Sequence, residues 1–351
     1  METCTGQTYN VTTDEDVDEI PVPRQRGQLV NIHVENARFD ISGFTSNLWT
    51  CLLSVVCNTE FRGIDVSSIG LVRNVFVTSV PNSWLDVTLP TTEVGGGGSR
   101  HLVVFAEYDD DHPSGFARDS RVTFIDPDES IELLEVTRGY ARLQNVTHAA
   151  RVKGQESFSI VADAVDTIDH LELNATYLGA IDFGSLRTVG TLDMNIATAM
   201  NVTWDNVTVL ESMEIGPSVP IPTDAYPDNK DYLNAITSIG GDLTIHGHPN
   251  TAFPFTGLTT VEGAIDIHDN SNSSFNFESL TKLTALSMVD NPMSELPGDF
   301  LRLEEADNIH LNGILSTCVD PNLAPPPLEF PHERLALTGR TAHSAPTSSL
   351  H

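Results

Sequence analysis

Basic residues are scarce in this chain. Eighteen Lys and Arg stand against 49 Asp and Glu, for a formal net charge of −31 over 351 residues. A surface of that sign repels phosphate backbones and anionic headgroups, which argues against a nucleic-acid partner and against an acidic membrane face. Cysteine is scarce as well. Cys4, Cys51, Cys57 and Cys318 form no CxxC pair, and none has a histidine at zinc-site spacing. A Cys51–Cys57 bridge would close a small local loop, and Cys4 and Cys318 stand near the two ends; four cysteines allow three pairings and the sequence selects none. No apolar run is long enough to span a bilayer as a helix. Met1-Glu2-Thr3-Cys4 lacks both the basic and the apolar part of a secretion leader, and the end at His351 lacks an apolar anchor signal.

Catalytic signatures are missing too. There is no Gly-x-Ser-x-Gly elbow. Gly95 to Gly98 is not followed by Lys and a helix, so it reads as a flexible loop and not as a phosphate cradle. Asp109-Asp110-Asp111-His112 could offer paired carboxylates for glycosidic chemistry. It runs straight into Pro113-Ser114-Gly115, however, and reads as a solvated loop. The same run, or Asp126 and Asp128, could hold calcium only loosely, without a twelve-residue calcium loop. No catalytic residue, cofactor or metal ligand is assigned.

What the chain does have is a repeat. Apolar doublets recur as Leu171/Leu173, Leu192/Met194, Met213/Ile215, Leu243/Ile245, Ile265/Ile267, Leu286/Met288 and Ile309/Leu311. Their first members lie 21, 21, 30, 22, 21 and 23 residues apart. The long interval contains Pro217-Ser218-Val219-Pro220-Ile221-Pro222 and Tyr226-Pro227-Asp228-Asn229, a loop insertion. Apolar residues at i and i+2 put two side chains on one face of a short strand. One such strand cannot bury that face alone, whereas stacking one strand per winding builds a parallel sheet over a continuous core. The fold expected is mainly β: a right-handed, β-helix-like or leucine-rich-repeat-like solenoid with coils of about 21–23 residues.

Further apolar pairs precede the strands: Leu186/Val189, Val207/Leu210, Ile236/Ile239, Leu258/Val261, Leu280/Leu283 and Leu303/Ala306. They are expected to fill the opposite wall. Phe183, Trp204, Phe255, Phe277 and Phe300 are expected to form an internal ladder, and Gly190, Gly240, Gly241 and Gly263 to sit in tight turns. The segment from Leu280 to Asn291 has leucine-rich-repeat spacing, with its asparagine matched at Asn270. Residues 1–24 are expected to cap the amino end. Residues 25–150 are expected to form degenerate coils or irregular β structure, residues 151–320 the regular array, and residues 321–351 a Pro/Ser/Thr-rich disordered tail. In the amino half, Val30/Ile32/Val34 and Val75/Val77 alternate at nearly twice the repeat, and residues 102–105 and 122–125 are further strand candidates.

Equivalent strand positions Ile245 and Ile267 align His246 with His268, which could stack about 5 Å apart on the outer face. With His248, Asp266 and Asp269 nearby, these are read as a polar outer face carrying chance histidines rather than a metal site. Six sequons, at Asn10, Asn145, Asn174, Asn201, Asn206 and Asn272, modestly exceed the number that so Ser/Thr-rich a chain carries by chance. They point to an exported glycoprotein, of which this chain would be a fragment.

Two regions resemble the fungal receptor-L-domain cell-wall glycoproteins, a family of GPI-anchored wall-organisation and sporulation proteins. One is the array, notably Ile236-Thr237-Ser238-Ile239-Gly240-Gly241-Asp242-Leu243-Thr244-Ile245 and Leu258-Thr259-Thr260-Val261-Glu262-Gly263-Ala264-Ile265-Asp266-Ile267. The other is Cys4-Thr5-Gly6 with Thr12-Thr13-Asp14-Glu15-Asp16-Val17. The resemblance implies a receptor-L-domain solenoid, an extracellular wall or cell-surface location, and a non-enzymatic role in wall organisation with glycans or surface proteins as partners. A ligand-binding receptor ectodomain and a carbohydrate-active β-helix enzyme are the alternatives.

Overall fold

The computed structural model describes residues 7–12, 16, 20, 28–35, 39–40, 48–57, 63–67, 71–79, 84–90, 100–106, 121–125, 130–175, 180–196, 201–216, 230–292, 294, 303–304 and 306–311. In the amino half these form β1 (Gln7–Val11), β2 (Gln28–Glu35), β3 (Phe39–Asp40), β4 (Leu48–Cys57), β5 (Gly63–Asp65), β6 (Leu71–Ser79), β7 (Trp84–Thr88), β8 (His101–Ala106) and β9 (Arg121–Ile125). The middle holds β10 (Ser130–Gln144), β11 (His148–Val161), β12 (Thr167–Ala175), β13 (Ala180–Asp182), β14 (Thr188–Ile196), β15 (Asn201–Thr203), β16 (Val207–Val209) and β17 (Met213–Ile215). A 3-10 turn, Asp231–Ala235, precedes β18 (Ile236–Ile239), β19 (Leu243–His246), β20 (Ala252–Pro254), β21 (Thr260–His268), β22 (Ser274–Asn276), β23 (Lys282–Val289) and β24 (Asn308–Leu311). No helix among the described residues is long and apolar enough to cross a membrane.

Every strand pairing among the described residues is parallel, and the chain is a parallel β-solenoid, as the doublets predict. The long face runs β1, β2, β4, β6, β8, β10, β11, β12, β14, β17, β19, β21, β23, β24. Its register carries one doublet position through Ile32, Leu53, Val75, Leu102, Leu134, Val152, Leu171, Leu192, Met213, Leu243, Ile265 and Leu286. All of these are buried. The other position is a valine column in the amino half: Val11, Val34, Val55, Val77, Val104 and Val136. β-branched side chains suit this because they pack tightly on a pleated surface and have little χ1 freedom to lose. Gly154 interrupts the column, and the Phe158 ring fills its place: a Cβ there would lie 2.3 Å from ring carbons.

A second face stacks Leu85, Val122, Ala141, Ile160, Ile181 and Val202. A third stacks Ile131, Ala149, Ile168, Val189, Val209, Ile239, Val261 and Leu283. Here the expected pair Val207/Leu210 is corrected. Val209 takes the inward position and Leu210 is 57% exposed. The winding carries one more residue between Val209 and Met213 than between Val189 and Leu192, and Leu210 takes up the excess by turning outward. Gly190 and Gly240 stand where the third face bends into the long face. A Cβ on them would come within 2.2 Å and 2.1 Å of the Asp169 and Leu210 carbonyl oxygens, so only glycine fits.

The aromatic ladder forms in part. Phe255 and Phe277 stack at 5.4 Å, whereas Trp204 meets Tyr232 edge-on at 5.9 Å and donates Nε1–H to its carbonyl at 2.9 Å. Phe253 and Phe275 form a second stack at 5.1 Å. The boundary expected at residue 150 falls inside β11, which belongs to the ladder on both sides of it. Part of the expected amino cap, Gln7–Val11, is itself a rung. Phe300, the 217–229 insertion, the Asp109–His112 run, Asp126, Asp128 and the 321–351 tail lie outside the described residues.

Candidate functional site

The outer surface of the long face gathers the most chemistry. Register places Lys153, Glu172, Asp193 and Glu214 in one row along the solenoid axis, and Gln155, Asn174 and Asn195 in the next. Strand spacing sets about 4.8 Å between neighbours in a row. Carboxylates at that separation repel, and each one here has a partner. Glu172 accepts from Arg151 at 2.7 Å and lies 3.6 Å from Lys153. Asp193 faces His170 at 3.6 Å, and Glu214 faces His246 at 3.1 Å. Burial holds the Asp193 carboxyl above the usual range; His170 opposes this, and the Glu214 and Glu172 carboxylates add to it. The Glu172, Asp193 and Glu214 side chains are 26, 41 and 56% exposed, an open surface rather than an enclosed one.

His246 and His268 stack as their alignment predicts, with centroids 5.0 Å apart and planes within 14°. His268 Nδ1 pairs with Asp269 at 3.0 Å. His248, grouped with them in the sequence, is elsewhere: Gly247, at φ 73°, turns the chain and buries His248 completely in the corner. Its ring nitrogens approach the Ile215 and Gly216 backbone without forming a good hydrogen bond. Burial, reinforced by the Lys230 charge, pushes its pKa down to about 3.

The corner that holds His248 carries two polar ladders. Asn270 Nδ2 donates to the Ile245 and His268 carbonyls, and Asn291 Nδ2 to those of Ile267 and Val289. Asn270 Oδ1 accepts from His248 N, and Asn291 Oδ1 from Asn270 N. Beside them Thr251 N donates to Ser273 Oγ, and Ser273 N to Ser294 Oγ. The sequence signal for both ladders is [His/Asn]-x-x-[Ser/Thr] after three successive doublets, Leu243/Ile245, Ile265/Ile267 and Leu286/Met288, of which only the asparagines were legible as a repeat. Glu214 was missed because its partner is 32 residues away across the insertion.

The sequons are dispersed. Asn145, Asn206 and Asn272 are exposed at corners in left-handed backbone, φ 71°, 52° and 53°, a conformation asparagine tolerates. Asn10 and Asn174 are exposed on β1 and β12, and Asn201 opens β15. Cys51 and Cys57 lie six positions apart on β4. An extended strand spans about 20 Å over that distance, far beyond the roughly 4.4–6.8 Å between Cα atoms that a disulfide bridges. The local bridge is therefore incompatible with this fold. Cys4 and Cys318 lie outside the described residues. Among the described residues no group of three or more His, Cys, Asp or Glu side chains is placed to hold a metal ion. No protein-family model, curated protein or solved structure matches this chain.

Proposed function

We propose that this chain is the scaffold of a non-enzymatic cell-wall or cell-surface glycoprotein of the receptor-L-domain kind. Its role is mechanical: a stiff rod carries sugars at its corners and presents a polar sheet face to wall glycans or surface proteins. The observation that carries the reading is the buried apolar column from Ile32 to Leu286 beneath a face whose carboxylates are already paired, together with sequon asparagines exposed at turns. Stiffness follows because each winding is bonded to the next along every face. Enzymatic action on glycans finds less support, since the Glu172–Asp193–Glu214 row is open to solvent and each carboxylate already has an arginine or histidine side chain beside it.

The test is expression behind a secretion leader in a eukaryotic host. Peptide mass spectrometry with and without N-glycosidase should show glycans on Asn145, Asn206 and Asn272. The secreted protein should also co-sediment with insoluble wall glucan or chitin without releasing sugar. A secreted, folded protein bearing no N-glycan, or one that liberates reducing ends, overturns the reading.

A further inference from the structure

The outer surface of the long face changes character along the rod. From β11 onward its central row carries Lys153, Glu172, Asp193 and Glu214. On β4, β6, β8 and β10 the same surface carries Leu52, Val56, Phe76, Val103, Phe105 and Leu133, alternating with the buried core residues of each strand. Phe76 and Val103 are neighbours in the ladder, and Val56 and Phe105 flank Thr78. Val103 stands outside the core column and is 9% exposed; the other five are half-buried, as are Lys153 and Glu172 further along. Single outward apolar side chains need no explanation, whereas a contiguous cluster of them marks a contact surface.

Its borders say what fits it. On the amino-terminal side β2 presents His33 and Glu35; on the carboxyl-terminal side β11 presents Arg151 and Lys153. We propose that the patch is covered by a second copy of this chain, packed face to face with the two rods antiparallel. A two-fold axis between β6 and β8 sets β8 against β6, β10 against β4, β11 against β2 and β12 against β1. Glu35 of one copy then lies beside Lys153 of the other, and Lys153 keeps Glu172 of its own chain at 3.6 Å. Glu135 comes opposite Ser54, and Glu172 opposite Asn10, so none of these carboxylates faces another. Asp193 and Glu214 project past β1 of the other copy. A parallel pairing would instead set Glu172, Asp193 and Glu214 against their own images, which like charges oppose. The overlap spans β1, β2, β4, β6, β8, β10, β11 and β12. At about 4.8 Å per rung and roughly 17 Å of strand on each, it offers on the order of 650 Å² per copy, near the ~800 Å² per partner of a stable interface.

Sedimentation equilibrium of the whole chain reads this directly. The wild type should form a dimer, and nothing larger, at micromolar concentration. Phe76→Asp, at an outward position, should weaken the dimer about tenfold or more with unchanged circular dichroism. Glu35→Lys and Lys153→Glu should each weaken it severalfold, and the two together should restore it, because the charges exchange places across the interface. That rescue separates contact between copies from damage to the fold. Asp266→Lys, on the same face beyond the overlap, should sediment like the wild type. A wild type that stays monomeric up to about 100 µM, leaving the patch to a different protein or to another segment of this chain, overturns the proposal. So does a Phe76→Asp variant that dimerises unchanged, or a double charge variant that associates no more tightly than the single ones.

Discussion

The windings between residues 230 and 292 and those between residues 28 and 136 share one ladder but hold their register differently. In the carboxyl-terminal set the corner is bonded by side chains: Asn270 and Asn291, with Ser273 and Ser294, each reach the winding before. Windings there advance by 22 and 21 residues, from Leu243 through Ile265 to Leu286. In the amino-terminal set the same advance is 21, 22, 27 and 32 residues, from Ile32 through Leu53, Val75 and Leu102 to Leu134. What stays constant there is the valine column. Of these two sets, the evenly spaced one is that whose described corner is bonded by side chains, while the valine column runs through windings of unequal length.

Substitutions can break this contrast. The largest effect is expected from Asn270→Ala, which removes the buried side-chain bonds to the Ile245 and His268 carbonyls and to the His248 amide; each buried group left unsatisfied costs about 1–3 kcal/mol. A loss of about 4 kcal/mol in urea unfolding is expected, concentrated by hydrogen exchange in windings 243–290. Val77→Ala should cost about 2–3 kcal/mol through the cavity it leaves, with exchange spread along the amino half. Equal losses with the same exchange pattern would show that corners and columns contribute alike.

His248→Asn sharpens the comparison by extending the ladder one rung: the introduced amide can donate to the Ile215 and His246 carbonyls as Asn270 does one winding on. The wild-type histidine is held neutral in the fold, with its pKa lowered to about 3. The unfolded chain binds its proton near pH 6.5. The unfolded state therefore gains the proton first as pH falls, and stability is lost between about 6.5 and 3 at up to about 1.4 kcal/mol per pH unit. The variant lacks this loss. Its advantage over wild type should be about 1 kcal/mol at pH 7 and grow by about 2.5 kcal/mol at pH 4.5; a constant difference across that range would contradict the assignment. Leu210→Ser, at a side chain already turned to solvent, should change stability by less than about 0.5 kcal/mol.

The fold was legible where strands alternate and obscure where they do not. Val30/Ile32/Val34 and Val75/Val77 were readable as rungs nearly two windings apart, yet the rung between them, β4, was not. In Leu52-Leu53-Ser54-Val55-Val56, Leu53 and Val55 are buried while Leu52 and Val56 are half-buried on the outer face, so apolar residues on both faces erase the period of two. His248 escaped for the opposite reason. Alternation carried through His246-Gly247-His248 keeps both rings outside, and only the left-handed glycine between them reverses the chain. Of the candidate site, the His246–His268 stack follows from spacing alone. Its carboxylate did not, because Glu214 is near His246 in the ladder but 32 residues from it in the chain.

The parallel ladder also sets how the molecule would respond to a pull. Its hydrogen bonds lie along the solenoid axis, so within any one junction between neighbouring turns all three faces share the load. The junctions themselves carry it one after another. Tensile strength is then that of the weakest junction, and one with few paired residues lies where β14 meets β16 and β17, beside Leu210. Under tension the rod would part at its weakest junction and leave two shorter rods.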